Sequence, residues 1–209
     1  MKQITLIEVQ KRNKKRSNIY INGDYSFSLS NEIVYRENLK INEEVDEDRL
    51  LYISKEDSYI KCKDTALKII ERSYKTEKEL IERLKNKGYF SDEIKRTIEF
   101  LKEYNFINNN EYARMYIKDR ISSMGSRKIK YSLLNKGIEE IIIDELLEEF
   151  QTNEELEGAI KLGRKKYEQI IRKENNTYVV KNKLTTYLIG RGYDYSLVKD
   201  AINEIVNEY

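Results

Sequence analysis

The sequence contains no histidine, no proline and no tryptophan, and Cys62 is its single cysteine. Without histidine, the chain cannot build a His-based catalytic triad, an imidazole general base or a His-ligated zinc site. One cysteine cannot form a disulfide within the chain, and without an imidazole partner Cys62 is expected to be an inert, small core residue. These absences argue against an enzyme, and we expect no cofactor and no metal site.

Long apolar segments are also missing. No stretch approaches the roughly 18 apolar residues needed to span a bilayer, and Glu8 interrupts the short apolar stretch at the N-terminus, so a signal peptide is not expected. The sequence therefore predicts a cytoplasmic protein without membrane contact. With 39 basic and 37 acidic residues among 209, the net charge is +2. Any attraction to nucleic acid must then come from local patches.

Residues 1–61 predict a small module of a β-hairpin plus a helix. Asn22-Gly23 is typical of a tight hairpin turn, and residues 25–29 alternate apolar and polar side chains at the period of a strand. The pattern becomes helical between residues 31 and 54. The acidic residues between Glu43 and Asp48 lack the ligand spacing of a calcium loop, so they indicate the start of a helix.

From residue 62 onward the sequence predicts helices arranged in three repeats. The repeats align on Gly88, Gly137 and Gly192, with a basic residue before each glycine and a recurrent set of apolar positions around it. These positions are Leu80, Leu84, Tyr89, Ile94, Ile98 and Leu101; Ile129, Leu133, Ile138, Ile143, Leu147 and Phe150; and Leu184, Leu188, Tyr193, Val198, Ile202 and Ile205. The predicted boundaries are 62–107, 108–151 and 152–209.

The same spacing predicts the construction of one repeat. A helix ends at the basic residue, the glycine adopts the left-handed C-cap conformation, and a further helix presents one apolar face. Another helix precedes this pair, over about 64–73, 110–123 and 153–173. Capping boxes are expected at Thr76-x-x-Glu79 and Asn108-x-x-Glu111. The fold class is thus mainly α, with three tandem three-helix, helix-turn-helix-like repeats in an elongated curved array.

The second repeat has a polarised charge pattern. Residues 114–136 carry seven basic side chains and one acidic one, whereas residues 139–157 carry nine acidic side chains and no basic one. One interpretation is a surface for a phosphate backbone or an acidic protein, with tyrosines interleaved as in nucleic-acid contacts. The other is a solvated surface whose acidic helix pairs with basic helices of neighbouring repeats. Smaller basic patches lie at 11–16 and 164–166.

Gly158-x-x-x-x-Gly163-Arg164 has a superficial similarity to a phosphate-binding loop. It lacks the Lys-Ser/Thr ending and lies in a helical pattern with no preceding strand. The sequence therefore predicts no nucleotide site here.

The repeats resemble the RecX family. In the second repeat the likeness is carried by Asn108-Asn109-Asn110-Glu111-Tyr112-Ala113, Arg120, Gly125, Lys128-Ile129 and Leu133-x-x-Lys136-Gly137-Ile138. In the first repeat it is carried by Ala66-Leu67, Arg72-Ser73, Thr76-x-x-Glu79-Leu80 and Leu84-x-x-Lys87-Gly88-Tyr89. The third repeat is the most divergent, and the N-terminal module resembles the extension of longer family members.

The resemblance implies a non-enzymatic regulator of the RecA recombinase, with a role in recombination and DNA repair. Such a protein binds the RecA–DNA filament and is expected to inhibit its ATPase, strand exchange and filament growth, with weak single- or double-stranded DNA binding and a monomeric state. The residues hypothesised to contact the filament electrostatically are Arg114, Lys118, Arg120, Arg127, Lys128 and Lys130, with Tyr112 and Tyr116 supporting them from the core side. The alternatives are a stand-alone DNA-binding protein of helix-turn-helix type or a helical scaffold for another protein.

Overall fold

A computed structural model describes residues 2–150 and 153–207. The chain divides into two compact units. The N-terminal unit comprises Met1–Tyr74 and Leu80–Phe106, and the C-terminal unit comprises Lys75–Glu79 and Ile107–Tyr209. Among the described residues, no helix combines the length and the apolar character needed to cross a membrane.

The N-terminal unit begins with an antiparallel sheet. Its strands are β1 (Lys2–Val9), β2 (Arg16–Ile21), β3 (Asp24–Ser30) and β4 (Glu44–Val45), in the order β3-β2-β1-β4. The predicted hairpin joins β2 to β3, and both turn residues have positive φ, 52° at Asn22 and 93° at Gly23. This is the backbone conformation that an Asn-Gly hairpin turn requires.

The helices of the N-terminal unit are α1 (Asn31–Arg36), α2 (Glu47–Arg72), α3 (Glu77–Asn86) and α4 (Ser91–Glu103), except that residues 77–79 of α3 belong to the C-terminal unit. The helix start predicted at the acidic residues 43–48 is confirmed, because Asp46 caps α2 by accepting a hydrogen bond from the Arg49 N–H at 2.7 Å. The helix predicted separately from about residue 64 is the C-terminal part of this same helix. No glycine or proline interrupts the following 26 residues. The boundary expected between residues 61 and 62 thus falls within one continuous helix.

The core of the N-terminal module lies between the sheet and the helices α1 and α2. Its fully buried members are Ile4, Ile19, Leu29, Ile33 and Ile53. Along β2, the buried side chains of Ser17, Ile19 and Ile21 alternate with half-buried ones, as expected for a sheet with one face on the core. The aligned apolar residues of the first repeat, such as Leu80 and Leu84, are also buried.

The C-terminal unit holds the second and third repeats. The second consists of α5 (Asn109–Arg120), α6 (Ser126–Asn135) and α7 (Glu140–Phe150), and the third of α8 (Asn153–Ile171), α9 (Thr177–Gly190) and α10 (Tyr195–Asn207). Each repeat has its own apolar cluster, one around Ile117 and Leu133 and one around Leu184 and Leu188. The predicted mainly helical fold with three three-helix repeats is confirmed.

The aligned glycines adopt the predicted C-cap conformation. Their φ angles are 86° at Gly88, 80° at Gly137 and 92° at Gly192. In each repeat, the N–H of the following apolar residue donates to the carbonyl four residues before the glycine, for example Tyr193 to Leu188 at 3.3 Å. The glycine thus turns the chain so that this residue packs back onto the repeat.

Candidate functional site on helices α5 and α6

Helices α5 and α6 present the predicted basic surface. Asn108 caps α5 by accepting hydrogen bonds from the N–H groups of Asn110 and Glu111, at 3.0 and 3.1 Å. Ala113 and Ile117 on α5, and Ile129 and Leu133 on α6, are fully buried. Because the two buried residues of each helix are four apart, they lie on one face, and the basic side chains at other positions are directed away from the core.

Tyr112 and Tyr116 are half-buried against the core of the second repeat. Their rings are stacked, with centroids 6.2 Å apart and an interplanar angle of 17°. The Lys136 ammonium lies 5.4 Å from the centre of the Tyr112 ring. The two tyrosines therefore lie on the core side of the surface, and the cation lies within the range of a cation–π contact.

Two of the six basic residues are paired with the acidic helix α7 of the same repeat. Arg114 Nη1 lies 2.5 Å from Glu149 Oε1, and Lys130 Nζ lies 2.7 Å from both Asp144 Oδ1 and Glu140 Oε1. The hydrogen bonds that the Lys130 ammonium donates to Asp144 and Glu140 raise the pKa of Lys130. The acidic helix thus neutralises basic residues within its own repeat, which the sequence alone did not reveal.

Arg127 connects the second repeat with the third. Its Nε and Nη2 atoms donate to the two carboxylate oxygens of Asp194, at 3.0 and 2.6 Å. Its backbone N–H donates to the carbonyl of Gly192 at 3.2 Å. Such a bidentate pair has defined geometry, and this one joins α6 of the second repeat to the third repeat.

Lys118, Arg120 and Lys128 are exposed, and within the described ranges they form no ion pair. The Arg120 guanidinium lies 5.2 Å from the centre of the Tyr116 ring. Arg120 ends α5 and Lys128 lies in the first turn of α6, so a short turn separates them. These three side chains keep their charge available for a partner.

The turn before α6 is held by the third repeat. The Gly125 N–H donates to the Arg191 carbonyl at 3.1 Å, and the Ser126 N–H donates to Glu155 Oε1 at 2.7 Å. Glu155 is a buried carboxylate that satisfies a free N–H at the start of α6. The position of the basic residues at the start of α6 therefore depends on both repeats.

An equivalent arrangement surrounds residues 75–79, which belong to the C-terminal unit. Thr76 Oγ1 donates to the Lys136 carbonyl at 2.8 Å, and the Glu77 N–H donates to Asn109 Oδ1 at 3.0 Å. Lys136 Nζ also pairs with Glu79 Oε1 at 2.5 Å. The predicted capping box is present, because Thr76 and Glu79 exchange hydrogen bonds of 3.2 Å.

The other sequence candidates have structural explanations. A Cβ atom at Gly158 would lie 2.5 Å from the Ser122 carbonyl oxygen, and one at Gly163 would lie 2.5 Å from Ile205 Cδ1. Both glycines therefore permit close packing of α8 and do not form a phosphate loop. Cys62 is fully buried, and burial raises the pKa of its thiol. Within the described ranges, no group of three His, Cys, Asp or Glu side chains could hold a metal ion.

Comparison with known proteins identifies the family. Family models match residues 2–46 (Regulatory protein RecX N-terminal domain), 62–101 (RecX, first three-helix domain), 108–147 (RecX, second three-helix domain) and 153–202 (RecX, third three-helix domain). The Regulatory protein RecX of Clostridium beijerinckii is 45% identical over 206 residues, which cover 99% of this chain and 97% of that protein. The chain belongs to the RecX family.

Further RecX relatives match between 71% and 98% of the chain. The Regulatory protein RecX of Clostridium tetani is 46% identical over 98% of this chain and 94% of its own length. A crystal structure of the regulatory protein RecX is 26% identical with a TM-score of 0.78, covering 96% of this chain and all of that one. The crystal structure of RecX from Lactobacillus salivarius has the same fold, with 24% identity and a TM-score of 0.66. The match covers 71% of this chain and 97% of the Lactobacillus salivarius chain. The chain is thus a RecX-type regulatory protein over its length.

Proposed function

We propose that this RecX-family chain binds the RecA–DNA filament and inhibits its ATPase, strand exchange and filament growth without catalysing a reaction. The observation that carries the proposal is the likeness to regulatory RecX proteins, which extends over 99% of the chain at 45% identity. The predicted inhibition, cytoplasmic location, monomeric state and weak DNA binding belong to the same proposal.

The basic surface of α5 and α6 is the proposed contact. Its members are Arg114, Lys118, Arg120, Arg127, Lys128 and Lys130, with Tyr112 and Tyr116 beneath them. Lys118, Arg120 and Lys128 are expected to contribute most, because no carboxylate in the described residues neutralises them. Exposed charges opposite a polyanionic partner accelerate association and favour the bound state.

The direct test is single-stranded-DNA-dependent ATP hydrolysis by the cognate RecA, titrated with this protein at physiological salt. We expect loss of hydrolysis at sub-stoichiometric amounts, and a large excess of DNA should not restore it. The triple variant Lys118→Glu, Arg120→Glu, Lys128→Glu should need about tenfold more protein for the same inhibition, because its three changed side chains repel the partner.

A matched control reverses three exposed lysines elsewhere in the C-terminal unit, Lys161, Lys181 and Lys199. This control has the same net charge and should inhibit like the unmodified protein. Equal inhibition by both triple variants would contradict the assignment of the surface. Relief of inhibition by excess DNA would instead identify a competitor for DNA, and no effect on hydrolysis would contradict the RecA partnership.

A further inference from the structure

A groove of about 1030 Å³ lies within the N-terminal unit, and none of its lining residues belongs to α5 or α6. The loop before β2 and the start of α1 form one wall, and the C-terminal half of α2 forms another. This volume is at the upper end of the range for small-molecule pockets. The groove is also open, so it suits an extended ligand better than a compact cofactor.

The lining of the groove contains charged side chains of both signs. Five lining side chains are basic and three, Glu32, Asp64 and Glu71, are acidic. Two of the basic residues are engaged by Asp57, which accepts from Arg16 at 3.1 Å and from Lys61 at 2.8 Å. The remaining basic residues, Lys14, Lys15 and Lys68, are exposed, and in the described part of the chain they form no ion pair.

The loop that carries Lys14 and Lys15 is held in place through the backbone carbonyls of these two residues. Asn31 donates from its side-chain Nδ2 to the Lys14 carbonyl and from its backbone N–H to the Lys15 carbonyl, both at 2.9 Å. Arg16 further anchors the loop through Asp57. A loop fixed in this way loses little conformational entropy when its lysines meet a ligand.

Aromatic rings lie in the same groove as the lysines. Tyr74, Tyr89 and Phe106 line it, and the Tyr89 hydroxyl is fixed by Thr65 Oγ1 at 2.8 Å and by the Lys61 carbonyl at 3.1 Å. Phe106 is 44% exposed and stacks with Tyr104, with ring centroids 6.4 Å apart and an interplanar angle of 25°. Lysines beside exposed, supported rings are the pattern of single-strand binding, in which phosphates meet cations and unpaired bases stack on rings.

We propose that this groove binds a single-stranded nucleic acid, with Lys14, Lys15 and Lys68 contacting phosphates and Phe106 stacking on a base. A duplex is a poorer fit because its bases are already stacked and cannot pack on Phe106. An acidic protein segment could pair with the lysines, but it would not use the exposed ring. The proposal is independent of RecA.

The test measures binding of a labelled 20-nucleotide oligothymidylate to the full chain by fluorescence anisotropy, at several salt concentrations and without recombinase. Reversing Lys14, Lys15 and Lys68 to Glu should lower the affinity at least about tenfold. Because each single-strand phosphate contact contributes about −0.7 to the slope of log affinity against log salt, the slope should become shallower by about 2. Circular dichroism would verify that the variant is folded.

Two matched controls make the result specific. Reversing Lys85, Lys87 and Lys95, exposed residues of the same unit outside the groove, changes the net charge equally and should alter affinity by less than about threefold. Phe106→Leu should weaken binding at least about fivefold with an unchanged salt slope. Phe90→Leu, at a more exposed ring outside the groove, should have no such effect.

Several outcomes would overturn the proposal. Equal losses from the two lysine triples would show diffuse attraction, and absence of oligothymidylate binding would remove the ligand. If a duplex bound as tightly as oligothymidylate, and Phe106→Leu left the affinity for oligothymidylate unchanged, single-strand recognition would be excluded. If the groove triple lost binding of a polyglutamate peptide but kept that of oligothymidylate, the groove would be a site for acidic protein. Since RecA is absent, each of these results is distinct from failure of the proposed inhibition of RecA. Absence of oligothymidylate binding would in addition contradict the weak DNA binding that belongs to the proposed function.

Discussion

Asp57 organises the polar contacts beneath the sheet of the N-terminal unit. This carboxylate is 3% exposed and accepts hydrogen bonds from the Arg16 guanidinium, the Lys61 ammonium and the Ser30 N–H. Burial by itself would raise the pKa of Asp57, but these donors outweigh burial and hold the pKa below its usual value. One ionised side chain thereby joins α2 to two strands.

Replacement of Asp57 by a neutral side chain tests how much the ionised carboxylate contributes to stability. We expect Asp57→Asn to lower the free energy of unfolding by about 3 kcal/mol, because Arg16 keeps its charge and loses its partner. The measurement is urea denaturation at pH 7. Asp200→Asn, at an exposed carboxylate of α10, is the control and should change stability by less than about 0.5 kcal/mol.

The same variant should change the response to acid. Because the folded pKa of Asp57 is depressed, its stabilisation is complete above the unfolded pKa of about 3.9 and is lost as the pH falls through the folded value. The stability difference between Asp57→Asn and the unmodified protein should therefore narrow at acidic pH. A difference that stays constant below pH 4 would contradict the role assigned to the ionised carboxylate.

Helix α9 ends with two glycines that have different requirements. Gly190 lies in the helix, and an added Cβ atom would meet nothing within 4 Å. Gly192 has a φ of 92°, and an added Cβ atom would lie 2.4 Å from Lys128 Cβ and 2.7 Å from the Lys128 backbone nitrogen. The C-cap glycine thus serves both the left-handed turn and the close approach of α6.

Alanine substitutions should separate these requirements within one element. Gly192→Ala should destabilise the protein by about 3 kcal/mol, the combined cost of a left-handed alanine and of overpacking. Gly190→Ala should be neutral or stabilise it by up to about 1 kcal/mol, because alanine favours the helix. Urea denaturation of both variants is the check, and equal effects would refute the proposed packing at Gly192.

Helix boundaries show which features of a helix can be predicted from sequence patterns. The glycine-aligned apolar positions correctly identified buried residues such as Leu80, Ile129 and Leu184. The sequence indicated the start of α2 at the acidic residues 43–48 but predicted a separate helix from about residue 64, because the pattern does not show that one helix continues through residues 47–63. A helix cap depends on residues adjacent in the sequence and can be predicted from them, whereas the length of a helix depends also on the residues against which it packs.

The molecule as a whole has separate apolar cores in its two units. One cluster includes Ile19 and Ile53, and the clusters of the C-terminal unit are built around Ile117 and Leu184. Since mutations at distant sites without shared partners act independently, damage in one core should remain local. The effect of a substitution on stability can then be assessed separately for each unit.

Hydrogen exchange measured by mass spectrometry should reveal this independence. Asp57→Asn is expected to accelerate amide exchange in peptides from residues 2–74 and 80–106, whereas Gly192→Ala should accelerate it in peptides from 107–207. Gly190→Ala, as control, should accelerate neither. Acceleration of both units by a single substitution would show that they unfold as one cooperative body.

The sequence by itself determined the repeats, their C-cap glycines, their buried faces and the family, because these depend on local spacing and residue type. Only the tertiary structure decided which charges are free: Glu149, Asp144 and Asp194 neutralise Arg114, Lys130 and Arg127 across 14 to 67 residues of chain. It also brought Lys14, Lys68 and Phe106 into one groove. Charge pairing and groove formation depend on distances between side chains remote in sequence, and folding alone sets those distances.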